Sequence, residues 1–508
     1  MQTYIQCMLF TSEERRFATE IRDLVYGNPF LEDRIQHEQR ALGNEYVASQ
    51  PYWSLQFDLD RKSNIDLLDA RASALAAKLR TRLDDANARD LELYEDLVTY
   101  VMYERYREQL VGVVERREMR QRIAFYRQFR RDLAEFNVRA EMLASAPHLF
   151  ACFFQVRRAF HSIFTSIVGR SLAAAELRAA VWQSIFTHDM RRYRRALYAT
   201  MGDVVTLITG ATGSGKEVVA RAIGLSRYVA FDDRTERFAG DTEASFVSLN
   251  LSALSPTLIE SELFGHRKGA FTGAIEDREG FLESCGAVGT VFLDEIGEVD
   301  PSIQVKLLRV IQSRTFQRLG ETTPRRFAGK IIAATNRDLA QEIARGRFRD
   351  DFYYRLCADT IATPALAEQL AGSDDELQHL VRFIAARVAG EGEAEAARDE
   401  VCRAIAISPG RDYTWPGNFR ELEQCVRSVL VHGAYRPPAN AMSRVADTRQ
   451  RIASAIIDGR FTADDLLRNY CTLLYAKTRN YAHVADRLKI DRRTVKAKVD
   501  ASLLEELR

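Results

Sequence analysis

Seven residues between a short apolar run and a helical run carry the first chemistry. Gly210, Ala211, Thr212, Gly213, Ser214, Gly215 and Lys216 follow the strand-like stretch Val204–Ile208 and precede Glu217–Ile223. Glycines at this spacing let successive backbone N–H groups converge on a phosphate, and a helix N-terminus adds a favourable potential for the anion. Lys216 is then placed to reach the β- and γ-phosphates. Glu217 stands where the general pattern has a magnesium-ligating Ser or Thr. Farther on, Val291–Leu293 is an apolar run that ends in Asp294 and Glu295. At the C-terminal end of a strand, Asp294 can hold Mg²⁺ while Glu295 polarises an attacking water. Together the two segments support nucleoside triphosphate hydrolysis.

A third segment is more specific. Ser261–His266 (SELFGH) precedes Gly269, Ala270, Phe271, Thr272, Gly273 and Ala274, and this pairing resembles the signature loop of the bacterial enhancer-binding proteins. These are AAA+ activators of sigma-54 RNA polymerase. Further stretches agree in order: Ile167–Ser171, Gly215–Ile223, Gly289–Glu298, Ala333–Leu339 and Trp415–Leu422. The resemblance covers about 167–432, and since Glu commonly follows the loop lysine in that family, Glu217 fits it. It implies an ATPase that uses ATP and Mg²⁺ in a ring, usually a hexamer. Asn250 resembles the asparagine that restrains the catalytic glutamate. Thr335 and Asn336 resemble the first sensor, and Arg420 on the lid resembles the second. Arg349 and Arg355 resemble arginine fingers offered to a neighbouring subunit, where a guanidinium stabilises charge developing in phosphoryl transfer.

In the Gly269–Ala274 loop, two glycines four apart permit a sharp excursion with Phe271 and Thr272 at its tip. An exposed aromatic there calls for a partner, and the resemblance makes that partner sigma-54. Three departures from the family stand out: a long spacing between Ser171 and Val204, an extended Gly224–Ser245, and the stretch Ala362–Ala371 (ATPALAEQLA) in place of an Arg/Glu-rich segment.

The C-terminal end reads as DNA-binding. Between Lys477 and Lys498 eight basic residues face two acids, a local charge of +6 within a chain whose net charge is +1. Two short helices around a turn at Lys489–Ile490 would share Val484, Ala485, Leu488, Ile490 and Val495 as a core. The second would present Arg492, Arg493, Thr494, Lys496 and Lys498 to a major groove. This is similar to the Fis-type helix-turn-helix, with Lys489 at the usual glycine position. Phosphate contacts of this kind make binding salt-dependent.

The elements that must position these residues follow from glycine and proline usage. The 508 residues suggest about three domains at roughly 150 residues each. The near-neutral balance excludes a uniformly basic coat protein and an acidic disordered chain. Residues 1–166 hold long stretches without Gly or Pro and read as mainly α-helical, with Ile123, Tyr126, Phe129, Leu133, Phe136, Ala140 and Leu143 drawing one apolar stripe. No β/α alternation marks a receiver domain there, and Tyr103–Arg131, rich in Arg and Tyr with interleaved acids, reads as a solvated helix face. From about 167 short apolar runs alternate with amphipathic helices, which implies an α/β layer on a mainly parallel sheet.

The expected organisation is a helical regulatory domain of unknown ligand (1–166), an AAA+ P-loop α/β core (167–362), a helical lid (363–432), a linker (433–460) and an all-α helix-turn-helix (461–508). Seven scattered cysteines with no CxxC pair fit a reducing compartment. No signal peptide is visible and Leu149–Phe154 is too short to span a bilayer, so a soluble cytoplasmic protein with no membrane partner is expected. The expected function is sigma-54-dependent activation: enhancer DNA bound at one end, and ATP turnover in a self-assembled ring that remodels the polymerase closed complex. The alternative is a nucleotide-binding DNA-binding regulator that does not remodel polymerase.

Overall fold

A computed structural model of the chain describes residues 9–48, 62–84, 86–371, 374–410, 413–437, 448–457, 459–478, 480–500 and 503–504. It divides into two compact units, 1–395 with 417–423, and 396–416 with 424–508.

The first unit begins with the helices α1 (Ser12–Tyr26), α2 (Asp33–Leu42), α3 (Lys62–Leu79), α4 (Ala88–Glu115), α5 (Tyr126–Glu135) and α6 (Ala146–Ser166). Thr11 and Glu14 close a reciprocal capping box on α1, and Asn87 caps α4 through the Asp90 N–H, so both helices start where local chemistry satisfies their free donors. The stripe read from Ile123 to Leu143 does not form one helix. Asn137 adopts φ 52° and ends α5, and only a five-residue helix, Ala140–Ala144, follows. Ile123, Tyr126, Phe129, Leu133 and Phe136 are buried as the periodicity requires, but Ala140 is exposed.

α6 is followed by α7 (Leu172–Phe186) and α8 (Met190–Arg195), which fill the long spacing before the sheet. Then come β1 (Thr206–Thr209) and α9 (Lys216–Leu225), a hairpin of β2 (Phe231–Asp232) and β3 (Arg237–Phe238), β4 (Phe246–Asn250), β5 (Thr290–Asp294), β6 (Lys330–Thr335), α10 (Asp350–Leu356) and β7 (Asp359–Ala362). The central sheet has the order β7-β1-β6-β5-β4, and every pairing is parallel. A parallel sheet collects the loops after its strands along one edge, where ligands of such folds bind. This is the α/β core expected, with helical segments before and after it.

The extended Gly224–Ser245 segment has a structural use. Phe231 and Phe238 leave the sheet region and enter the N-terminal core, 4.5 Å from Tyr126 and 4.1 Å from Phe154 by ring centroids. The Ile123 N–H donates to the Glu236 carbonyl at 2.8 Å, and the Glu236 carboxylate meets Arg122 and Arg127. Within Tyr103–Arg131 the apolar residues such as Tyr106, Tyr126 and Phe129 are buried, while Arg105, Arg116, Arg120, Arg122, Arg127 and Arg130 are exposed. The stretch packs one face and leaves these arginines on the solvated one, as expected. On the other side, Ala159 and Ile163 of α6 share a core with Val219 and Ile223 of α9 and with Trp182 of α7.

After β7 the chain is helical, as expected: α11 (Leu366–Leu370), α12 (Asp374–Ala389), α13 (Ala394–Ile407) and α14 (Asn418–His432). The second unit ends with α15 (Ala463–Thr478), α16 (Tyr481–Leu488) and α17 (Arg492–Lys498). Part of the expected linker, 438–447, lies outside the described residues.

Candidate functional site

β1 ends at Thr209 and the chain turns through Gly210, Gly213 and Gly215, with φ of 149°, 77° and 95°. A side chain on Gly210 would meet Thr363 Oγ1 at 2.1 Å, and one on Gly213 would meet the Gly417 carbonyl at 2.4 Å, so both sites require glycine for space as well as conformation. Ser214 is buried, its hydroxyl donating to the Ala211 carbonyl at 2.7 Å and meeting Thr363 Oγ1 at 2.6 Å. Lys216 opens α9, and its Nζ donates to the Gly210 and Ala211 carbonyls at 3.0 and 3.2 Å. Burial pulls its pKa below the ordinary lysine value, and the Glu295 and Asp294 carboxylates oppose that pull. Glu217 is exposed in the first turn of α9.

β5 delivers Asp294 and Glu295 to the same edge. Glu295 adopts φ 58° and ψ 45°, a left-handed conformation that a non-glycine residue holds only at a cost near 1 kcal/mol. Its N–H donates to Asp294 Oδ1 at 3.0 Å. β6, between β1 and β5, delivers Thr335 and Asn336. The Asn336 N–H donates to Glu295 Oε2 at 3.4 Å and its amide donates to Thr212 Oγ1 at 2.9 Å, tying the phosphate loop to the carboxylate side. Thr335 is buried and accepts from the Arg337 N–H at 3.0 Å. Asn250 pairs in register with Asp294, and its side-chain oxygen accepts from the Ser252 N–H and hydroxyl at 3.0 and 2.8 Å.

The lid reaches this edge through the first turn of α14. The Phe419 N–H donates to the Gly213 carbonyl at 3.1 Å, and the Asn418 amide donates to the Thr212 carbonyl at 3.0 Å while its oxygen accepts from the Leu366 N–H at 2.8 Å. Arg420 follows at once, exposed and close enough to oppose the charge on Lys216. Thr363 and Asn418 are positioning residues that sequence reasoning missed. Asn418 had a weak signal, since Asn after Gly marks a turn. Thr363, in the unusual Ala362–Ala371 stretch, had none.

Arg349 and Arg355 lie apart on α10. Arg349 is the N-cap residue and forms a two-point ion pair with Asp351 at 2.9 and 2.7 Å, and Arg355 is exposed. The Gly269–Ala274 loop is closed by the Gly269 N–H donating to the Ala274 carbonyl at 2.8 Å, and its base is braced by Lys268 N–H on Asp277 at 2.8 Å. Gly269 and Gly273 have φ of 80° and 106°. Thr272 is exposed at the tip as expected. Phe271 is not: it is half-buried, edge-on to the His266 ring with centroids 5.0 Å apart, because the ring finds cover on the short strand Gly265–His266 that precedes its loop.

In the second unit Val484, Ala485 and Val495 are buried with Cys471 and Leu474 of α15, while Leu488 and Ile490 pack against them. Lys489 takes the turn with φ 54°, and Asp491 caps α17 through the Arg493 N–H at 2.7 Å. Arg492, Arg493, Thr494 and Lys496 are exposed on α17. Lys498 differs from the outward orientation expected: it is half-buried and ion-paired with Asp464 of α15, since it stands three residues on from the buried Val495 and so beside it on the helix. Arg479 lies outside the described residues, as does the side chain of Lys477.

Residues 185–362 match the sigma-54 interaction domain. Among curated relatives, the Nif-specific regulatory protein of Azotobacter vinelandii is 42% identical over 227 residues, 44% of this chain and 39% of that protein. The transcriptional regulatory protein ZraR of Klebsiella oxytoca is 43% identical over 236 residues, covering 46% and 48%, and that of Escherichia coli K12 is 43% identical over 238, covering 46% and 49%. The chain thus spans less than half the length of these relatives. Among solved structures, NtrX from Brucella abortus in complex with ATP is 24% identical, covering 72% of this chain and 76% of that one, with a TM-score of 0.39. The phosphate loop, Asp294, Glu295, Thr335, Asn336, Arg349, Arg355 and Gly269–Ala274 all fall inside the matched domain, and 1–184 and 363–508 fall outside it. Among the described residues no helix is long and apolar enough to cross a membrane.

Proposed function

We propose, from the premise that residues 185–362 are a sigma-54 interaction domain, that the whole chain is an ATP-hydrolysing activator of sigma-54 RNA polymerase. The observation that carries this reading is the meeting of three strand ends, β1, β6 and β5, with the lid turn at Thr212–Gly213. There Lys216, Asp294, Glu295, Asn336 and Arg420 face one locus. In this reading the loop N–H groups and Lys216 hold the triphosphate. The hard carboxylate oxygens of Asp294 suit Mg²⁺, which when bound neutralises phosphate charge. Glu295 accepts the proton of the attacking water, and its link to Asn336 positions it. Arg349 and Arg355, on a separate helix, serve a neighbouring copy's nucleotide, so the working form is a ring, taken as a hexamer. Arg349 must then exchange Asp351 for phosphate. The exposed Arg492, Arg493, Thr494 and Lys496 of α17 contact enhancer DNA in the cytoplasm.

Thr272 would contact sigma-54, with Phe271 leaving His266 to join it. The test is ATP turnover alongside promoter opening by sigma-54 RNA polymerase in vitro. Thr272→Ala is expected to keep hydrolysis and lose opening, and unchanged opening refutes the loop's role. Mixing an Arg349→Ala chain with a Glu295→Ala chain is expected to restore part of the turnover each lacks. No recovery at any ratio argues against arginines supplied between copies.

A further inference from the structure

A chamber of about 790 Å³ opens between the N-terminal helices and α7–α8, of a size that small-molecule sites have. Its walls come from residues scattered between Leu24 and Arg194, and none of them belongs to the nucleotide machinery. Aromatic rings dominate the lining, among them Tyr100, Tyr103, Phe153, Phe160, Phe164 and Trp182.

In this wall the indole N–H of Trp182, a residue only 2% exposed, and the buried Nε of Arg157 have no hydrogen-bond partner among the described residues. They flank one ring: the Arg157 guanidinium lies 5.4 Å from the Phe160 centroid, and Phe160 lies 4.9 Å from the Trp182 ring. Arg157 also donates to the Tyr103 hydroxyl at 3.3 Å. Three of the acids lining the chamber face cations of their own, and the fourth, Glu115, is exposed. Glu104 and Glu108 hold Arg107 at 2.8 and 3.3 Å, and Glu38 faces Arg34 at 3.6 Å. No carboxylate among the described residues forms an ion pair with Arg157. Arg157 is part-buried and spends one donor on Tyr103, but its buried Nε and the Trp182 N–H find no acceptor; that is costly, and an anionic acceptor between them relieves both.

We propose that this chamber is an effector site for a small planar aromatic carboxylate. The carboxylate lies against Arg157 and the Trp182 N–H, a charge-assisted pairing, and the ring lies among the aromatic walls. Occupancy reaches the nucleotide site through α7. Trp182 and Phe186 line the chamber and share one core with Val219 and Ile223 of α9, the helix that Lys216 opens. Only this second step rests on the ATPase reading.

The test is calorimetric titration of the full chain, without nucleotide, with benzoate, 4-hydroxybenzoate, indole-3-acetate and 1-naphthoate, each beside the neutral amide of the same ring. At least one acid is expected to bind with Kd on the order of 0.1 mM or tighter, and its amide about tenfold more weakly. Arg157→Gln is expected to lose about tenfold of the acid's affinity. Val156→Trp, which fills the chamber, is expected to abolish binding. Failure of all four acids to bind below about 5 mM overturns the proposal. So does equal binding of acid and amide, or binding that survives both variants. A saturating acid that leaves ATP affinity unchanged overturns the effector role. Arg157-dependent binding to a chain that hydrolyses no ATP refutes the ATPase reading and leaves the chamber assignment standing.

Discussion

The nucleotide edge and the aromatic chamber lie in one compact unit and are built by opposite means. At the edge, each functional residue stands at a strand end or the first turn of a helix, inside a short run whose spacing matches phosphate geometry. In the chamber, the wall is drawn from α1 to α8, and no two consecutive stretches carry a shared pattern. The edge is polar and braced by main-chain bonds, such as Phe419 N–H to the Gly213 carbonyl. The chamber sets aromatic rings among charged side chains, and the Trp182 N–H and Arg157 Nε in its wall find no acceptor among the described residues. Chemistry that depends on backbone direction leaves a local signature, whereas a cavity depends on how helices pack and leaves none.

The largest test of this contrast is at the edge. Glu295→Ala is expected to slow ATP turnover about a thousandfold, roughly 4 kcal/mol in barrier, with ATP affinity close to wild type. A loss of affinity instead of rate would mean that Glu295 belongs to binding rather than to chemistry. At the junction, Phe231→Ala removes a buried ring 4.5 Å from Tyr126 and 4.8 Å from Phe150, at a cost of about 3 kcal/mol. Chemical denaturation should show it as a lower midpoint, and an unchanged midpoint would separate the two regions thermodynamically.

A smaller effect is expected from pH. Burial lowers the pKa of Lys330, at the start of β6, from 10.5 to about 8, while its Nζ donates to the Val204 carbonyl at 2.7 Å. Above pH 8 the folded chain has released a proton that the unfolded chain keeps up to 10.5, so stability should rise with pH across that window and fall back as pH drops through it. Lys330→Met should remove this slope, and a slope that persists assigns it to another group. The smallest effect belongs to the helix-turn-helix. Lys489→Gly relieves a left-handed lysine and is expected to stabilise that unit by about 1 kcal/mol, read as a higher midpoint for its unfolding.

Legibility followed the same division. The strands at Val204–Ile208, Phe246–Leu249, Val291–Leu293 and Ile331–Ala334 were visible because a parallel sheet buries both faces and demands apolar runs. Lys216, Asp294, Glu295 and Asn336 were visible because their spacing is tied to those strands. The single helix read through Phe136 failed because a left-handed Asn137 interrupts a periodicity that composition alone continues. The exposed Phe271 and the outward Lys498 failed because His266 and Asp464, their partners, are set by folding.

The sequence by itself determined the strand–loop–helix units, the carboxylate pair Asp294–Glu295 at the end of β5 and the buried stripe of the C-terminal helices, since backbone geometry and period fix these within a few residues. Only the tertiary structure decided that the 171–204 and 224–245 extensions join the N-terminal helices to the parallel-sheet core. It alone placed Thr363 and Asn418 against the phosphate loop and enclosed a chamber beside Trp182. Each of these depends on contacts between segments tens of residues apart, which no local propensity encodes.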